Sequence, residues 1–346
     1  MKDRLHFSAD EQNALIGAIK RIAGNIMAGD FVPVSPTNDL ALESLLRAGV
    51  ALDRPAWTAR VAAVMRRRQP QPWEMEPLGS LTYAWADHTR DAEVMSHFVD
   101  QSYAMRNALR RSEDGLIQHP RGENFGGGLA VLIDTFAEYV SRSCRAAAWG
   151  DAPALADDAA DQVTRHEKLL VHEQSGLWRQ GRGWLIDPAH LSPGTWSRGQ
   201  GYLMRGFADA LATLPPSSAA QSIIAGAFAR LADAVLARQN ESGAWHALPH
   251  LPLEDSGPES SGTALIAYGL LRGLRLGVLE GPQYADAAKS AVNFVATCVD
   301  AEGIIHRACY GPGPLIHLTP WRVQNFPPGD SHGRGTVLST LTAAMD

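Results

Sequence analysis

The chain has 346 residues, of which 45% are hydrophobic and 20% charged, enough for two domains by length or for one large repeat-built unit. Its 31 basic residues stand against 37 acidic ones, and the formal net charge of −6, with no basic run beyond Arg66, Arg67 and Arg68, argues against a nucleic-acid partner. Cys144, Cys298 and Cys309 are odd in number and lack C-x-x-C spacing, so they read as reduced thiols rather than as a disulfide frame or a zinc site.

The first 29 residues contain no uninterrupted apolar h-region of the signal-peptide kind, and no window of about 18 apolar residues is apparent, so a cytoplasmic protein without a membrane partner is expected. Ser8 and Glu11 stand at capping-box spacing before the apolar periodicity of Leu15, Ile16, Ile19 and Ile22, which predicts a first helix. Helical periodicity then recurs at 38–52, 55–68, 77–88, 91–111, 127–146, 152–173, 200–213, 217–239, 260–276, 283–299 and 332–345. Pro and Gly punctuate the joints, and strand-like alternation is nearly absent. The expectation is an all-α protein.

A repeated phrase sharpens this. SEDGLIQH around Gly115, EQSGLWRQ around Gly176, NESGAWHA around Gly243 and DAEGIIHR around Gly303 follow four of these helices at intervals of 61, 67 and 60 residues. Each glycine falls near a predicted helix end and precedes an apolar pair, as a C-cap and return turn would require. A period of about 60 residues is one helical hairpin, and 346 residues hold close to six. Six hairpins that cannot bury their apolar faces alone would close into a ring with inner and outer layers.

The segment from Thr195 to Leu211, TWSRGQGYLMRGFADAL, sets Arg198 and Gln200 among glycines at a helix start. Backbone donors, the positive end of the helix dipole and a guanidinium fork together suit an anion, while a structural Arg pair is the plainer reading of the same spacing. His166 and His172 are six apart rather than at the i, i+4 spacing of two ligands on one helix face, and His119, His246 and His306 recur in the repeat phrase, where turn packing accounts for them.

Three segments, Leu132-Ile133-Asp134-Thr135, Thr195 to Gly201 and Glu259-Ser260-Ser261-Gly262-Thr263-Ala264, resemble the unsaturated glycuronyl hydrolases of glycoside hydrolase families 88 and 105. The closing Asp330-Ser331-His332-Gly333-Arg334-Gly335 is similar to the last segment of family 105. The resemblance implies an (α/α)6 barrel over the single domain 1–346, with the site in a cleft at one end. It also implies removal of a Δ4,5-unsaturated uronic acid, glucuronyl or galacturonyl (rhamnogalacturonyl), from lyase-generated oligosaccharides by hydration of the enol ether, with no metal or organic cofactor. Asp134 matches the family's catalytic aspartate, and an elevated proton affinity would let it act as general acid.

Two departures stand out. Where the family usually places a second Asp, the chain reads Trp73-Glu74-Met75-Glu76-Pro77, so Glu74 or Glu76 either substitutes or is a solvated loop acid. Gln180 occupies a place where relatives often carry a His, and an amide cannot titrate. The resemblance further implies that Arg198 and Gln200 bind the sugar, Arg198 through the uronate carboxylate, with Trp196 and Tyr202 as an apolar wall and Ser260 and Ser261 as binding or capping groups. A catalytically idle relative binding acidic oligosaccharides, and another (α/α)6 glycosidase or epimerase, remain the competing readings.

Overall fold

A computed structural model describes residues 6–31, 35–68, 80–120, 130–183, 187–252, 256–310, 316–319 and 326–346. Glu74 and Glu76 lie outside the described residues. Twelve helices are present among those described: α1 (Ala9–Ala28), α2 (Pro36–Ala51), α3 (Pro55–Arg67), α4 (Ser80–Thr89), α5 (Ala92–Ala108), α6 (Ile133–Gly150), α7 (Pro153–Leu170), α8 (Ser197–Leu211), α9 (Ala219–Leu236), α10 (Ser260–Leu276), α11 (Pro282–Thr297) and α12 (Ser331–Met345). The Ser8 and Glu11 capping box forms, and Pro36, Pro55, Pro153 and Pro282 open their helices where a missing N–H costs nothing. The chain is helical as predicted, and among the described residues the strands are two residues long: β1 (Val131–Leu132) pairs antiparallel with β2 (Gly181–Arg182), and β3 (Trp245–His246) with β4 (Pro258–Glu259).

Burial sorts the helices into layers. The outer helix α3 buries only Val61 and Val64, a narrow stripe, whereas α8 buries every residue except Tyr202. The even-numbered helices form the inner layer, each touching the next, and α12 returns to α2, so the six hairpins close into an (α/α)6 barrel. The inner helices run parallel: Gly199 meets Ile133 and Gly206 meets Ala137 across α8 and α6, while Gly335 of α12 meets Leu40 and Ala41 of α2. A Cβ on Gly206 would stand 2.5 Å from the Ala137 carbonyl oxygen, so this close approach of α6 and α8 requires glycine.

The four repeat glycines all adopt left-handed φ, from +70° to +83°, in return turns that lie beyond the helix ends rather than in the C-caps the spacing predicts. In each turn the glycine N–H donates back into the turn, as Gly115 does to Ser112 (2.8 Å) and Gly303 to Asp300 (3.2 Å). Each turn docks on the next outer helix: Gly115 against Arg165 of α7, Gly176 against Ala234 of α9, Gly243 against Ser290 of α11, and Gly303 against Arg21 of α1. The repeat is therefore the device that spaces the ring and closes it. One sequence expectation needs correction: α9 is long and apolar enough to count as a membrane span, with mean hydropathy 1.3. It is an alanine-rich outer helix whose Ala220, Ile224, Ala227, Phe228, Leu231, Ala232 and Val235 pack inward.

Candidate active site

Parallel inner helices bring their N-termini to one end of the barrel, and the site residues gather there. The α6 start is fixed by the β1–β2 pair and by Ile133 N–H donating to the Gln180 carbonyl at 3.1 Å. Asp134 follows in the first turn. Its Oδ1 accepts from the Thr135 N–H at 3.0 Å. Between Ile133 and Cys144 every residue of α6 is buried except Asp134 and Glu138, which are half-buried. With α4, α5, α7 and α8 packed around this helix, the face that stays open is the one toward the barrel axis. Tyr202, the one α8 residue that is not buried, opens into the same space.

The electrostatics agree with that grouping. Burial pushes the Glu138 carboxyl up to about 7; Arg205 opposes the rise, and the negative charges of Glu43, Asp209 and Asp134 add to it. Burial likewise raises the Tyr202 phenol to about 12, with Arg198 opposing and Glu138 and Asp134 reinforcing, so the arginine and the two acids all act on Tyr202. Below them the axis is filled by ions. Arg205 bonds Glu43 at 2.5 Å and faces Asp209 at 3.5 Å, Arg47 bonds Glu43 at 2.9 Å, and the Tyr268 hydroxyl donates to Asp209 at 2.8 Å. Arg205 holds Asp209 below the ordinary carboxylate range even though burial pushes the other way. The barrel is thus a cup: acids and a tyrosine at the open end, a closed ionic floor beneath.

Helical spacing puts Ala130, Asp134, Ala137, Glu138 and Ser141 on one small, polar face of this segment, with room for a sugar beside the carboxylate, and in the structure that face is narrower. Ala137 and Ser141 are buried, and Ala137 is small because Gly206 packs on it, not to make room for a ligand.

The Thr195 to Tyr202 motif serves mostly as wall. Arg198 is 1% exposed; its guanidinium donates to the Cys309 carbonyl, to the Tyr310 carbonyl at 3.5 Å and to the Ser261 hydroxyl at 3.3 Å, and stacks 4.6 Å from the Trp196 ring. It reaches the cup as a fixed charge and not as an open fork. Gln200, fully buried, clamps the Trp178 peptide, accepting from its N–H at 2.9 Å and donating to its carbonyl at 2.7 Å. Trp196 packs with Ala247, Leu248 and Cys309, and Gln180 is buried, lending its carbonyl to the α6 start. Ser260 donates to the His306 carbonyl at 2.9 Å and Ser261 donates to Glu259, so both are internal. The α10 cap is Glu259 rather than either serine. Its buried carboxylate accepts from the Ser261 and Gly262 N–H groups, the Ser197 hydroxyl and the Cys309 N–H.

Several residues were not singled out from sequence. Glu138 appears there only as a member of a polar helix face, and Glu43, Arg205 and Asp209 carry no local signal because their partners lie on different helices. At the α12 start, Asp330 caps the helix and accepts from His332 Nδ1 at 2.7 Å. Burial lowers the His332 ring despite that bond, and Arg198 lowers it further. Among the described residues no group of three or more His, Cys, Asp or Glu side chains is gathered as metal ligands.

A closed ring of six helical hairpins with carboxyl groups in a cup at one end is the build of a barrel glycosidase. The chain belongs to Glycosyl Hydrolase Family 88, whose profile matches residues 81–345. Over 146 residues it is 34% identical to the 24.9 kDa protein in picA locus of Rhizobium radiobacter, a match covering 40% of this chain and 61% of that protein. In fold it is similar to a possible member of the GH105 family from Salmonella enterica serovar Paratyphi A, with TM-score 0.83, 21% identity and coverage of 98% and 95% of the two chains. It is also similar to the unsaturated glucuronyl hydrolase of Bacillus sp. GL1, with TM-score 0.71, 19% identity and 95% coverage of each chain.

Proposed function

We propose that this glycoside hydrolase removes a Δ4,5-unsaturated uronic acid from the non-reducing end of oligosaccharides left by polysaccharide lyases, with residues 1–346 forming one cytoplasmic catalytic domain. The observation that carries the reading is the half-accessible Asp134 carboxyl at the head of an inner helix, in a cup rimmed by parallel helix N-termini. Those N-termini and the buried Arg198 charge favour a carboxylate-bearing sugar, and Tyr202 offers a ring face with a polar edge.

In the reaction Asp134, protonated, gives its proton to C4 of the vinylic bond as positive charge develops at C5. Water adds at C5 and returns a proton to the carboxylate. The resulting hemiketal opens by breaking the bond between C5 and the ring oxygen, and the hemiacetal so left at C1 collapses, passing its proton to the departing sugar and leaving an aldehyde that is also a keto acid. Because the sugar leaves through ring opening and not by displacement at the anomeric carbon, the paired-carboxylate spacing of ordinary glycosidases is not required. Cys144, Cys298 and Cys309 are buried thiols, which suits a reducing compartment.

The conjugated enol ether absorbs in the ultraviolet, so the test is direct. Loss of that absorbance on incubating the protein with lyase-made disaccharides is the expected result, and a panel of glucuronyl and galacturonyl ends ranks the substrates. Binding of these sugars without loss of absorbance would overturn the reading in favour of an idle relative.

A further inference from the structure

We propose that Glu138 is a positioning residue for this reaction: one helical turn below Asp134 on the axis-facing side of α6, it shares a proton with Asp134 and so supplies the acid form that the first step needs. The inference rests on the function proposed above for its role, and on geometry for the pairing itself. Residues four apart on a helix carry their Cβ atoms roughly 5–6 Å from one another, one above the other. Asp134 and Glu138 alone break the burial of this stretch of α6, so both carboxyls look into one confined space. Two negative charges on neighbouring, half-buried side chains repel, and the repulsion favours a proton on one of them.

The charges around the pair leave no cheap alternative. Facing Glu138 are Asp134 on its own helix, Glu43 from α2, Tyr83 from α4, and Arg205, Asp209 and Tyr202 from α8. Arg205 is the cation that reaches it, and Arg205 is already bonded to Glu43 and set against Asp209. Arg47 and Arg272 act on Glu43 and Asp209 at the deeper end. The groups of α5 and α7 lie on the opposite side of α6, where Tyr139 donates to Asp158 and Phe136 stacks on His166 at 4.0 Å. Glu138 makes no hydrogen bond to any described residue, and the attraction of Arg205 opposes only part of the effect of its burial and its acidic neighbours. A coupled pair titrates in two steps that belong to the pair, and between the steps it holds one proton for donation to C4. When the attacking water returns a proton, the pair is restored.

The experiment compares the wild type with Glu138→Gln and Glu138→Asp by 13C NMR of labelled carboxyl groups, with the Asp134 signal assigned by its loss in Asp134→Asn. In the wild type and in Glu138→Asp, Asp134 should titrate in two steps. In Glu138→Gln a single step should remain, about one pH unit or more lower. In the absorbance assay the alkaline limb of kcat should move to lower pH by the same amount, with KM within about twofold and kcat at neutral pH down about tenfold. Identical Asp134 titrations in wild type and a folded Glu138→Gln overturn the proposal. A wild type that never bleaches unsaturated uronides overturns the functional reading instead, and the titration still decides whether the pair is coupled.

Discussion

The first turns of α6 and α8 lie side by side, and each carries polar residues in a motif that resembles the same enzymes, yet they do opposite work. Asp134 faces the barrel axis, and among the described residues its carboxyl bonds only the adjacent Thr135 N–H. The terminal nitrogens of Arg198 and the amide of Gln200 are turned onto protein carbonyls and the Trp178 peptide. A polar side chain at an inner-helix start therefore faces either the axis or the wall, and what decides is whether the backbone nearby has unmet hydrogen bonds. Irregular connections such as Trp178 and Cys309 to Tyr310 have them, and Arg198 and Gln200 meet them.

This contrast is open to measurement, beginning with the largest expected effect. Asp134→Asn should lower kcat by roughly a hundred- to ten-thousand-fold while the thermal transition stays where it was, since it removes the acid and little else. Activity within a few-fold of wild type would end its assignment as the acid. In the ionic floor, Glu43→Gln leaves Arg205 and Arg47 short of a counter-charge and should cost about 3–5 kcal/mol by denaturant unfolding. Gln200→Ala strands the buried Trp178 N–H and carbonyl and should cost about 1–3 kcal/mol per unsatisfied group. In whatever fraction stays folded, KM should hardly change. A large rise in KM with unchanged stability would return Gln200 to the substrate side.

The His166 effect is set by pH. Its ring is fully buried against Phe136, and burial lowers it to about 3. The folded state therefore keeps it neutral while the unfolded chain takes up a proton below about 6.5, so the stability due to the neutral ring is present above that pH and is lost as pH falls. Between pH 8 and pH 5 this accounts for roughly 2 kcal/mol. Comparing wild type with His166→Phe at the two pH values isolates the amount. Smallest is Tyr202→Phe, which should raise KM only a few-fold, about 1 kcal/mol, with stability unaltered.

Much of the fold is legible in the sequence because it is written locally. The Ser8 and Glu11 box, the prolines at helix starts and the four glycine phrases are short-range signals, and each is met within one turn of where the spacing places it or just beyond. The site is legible only in part. Asp134 comes from a motif, and the structure leaves it half-buried at the head of an inner helix, but the burial of Ser260 and Ser261 follows from Glu259 taking the cap, a competition between neighbours that composition does not rank. Small Ala137 reads equally well as room for a sugar or as a seat for Gly206, and only the partner helix tells them apart. Glu138 and the Arg205 floor depend on which helices face each other across the axis, information that exists once the ring has closed.

That closure has a temporal side. Because the turn at Gly303 seats on the backbone of Arg21, with the Arg21 side chain reaching the Asp300 carbonyl at 2.8 Å, the newest part of a growing chain must find the oldest before the barrel is complete. Until then, the earlier hairpins wait as an unsealed arc with an apolar flank exposed. A barrel latched in this way should melt as one unit, and trimming a hairpin from either end should leave no shorter working version of it.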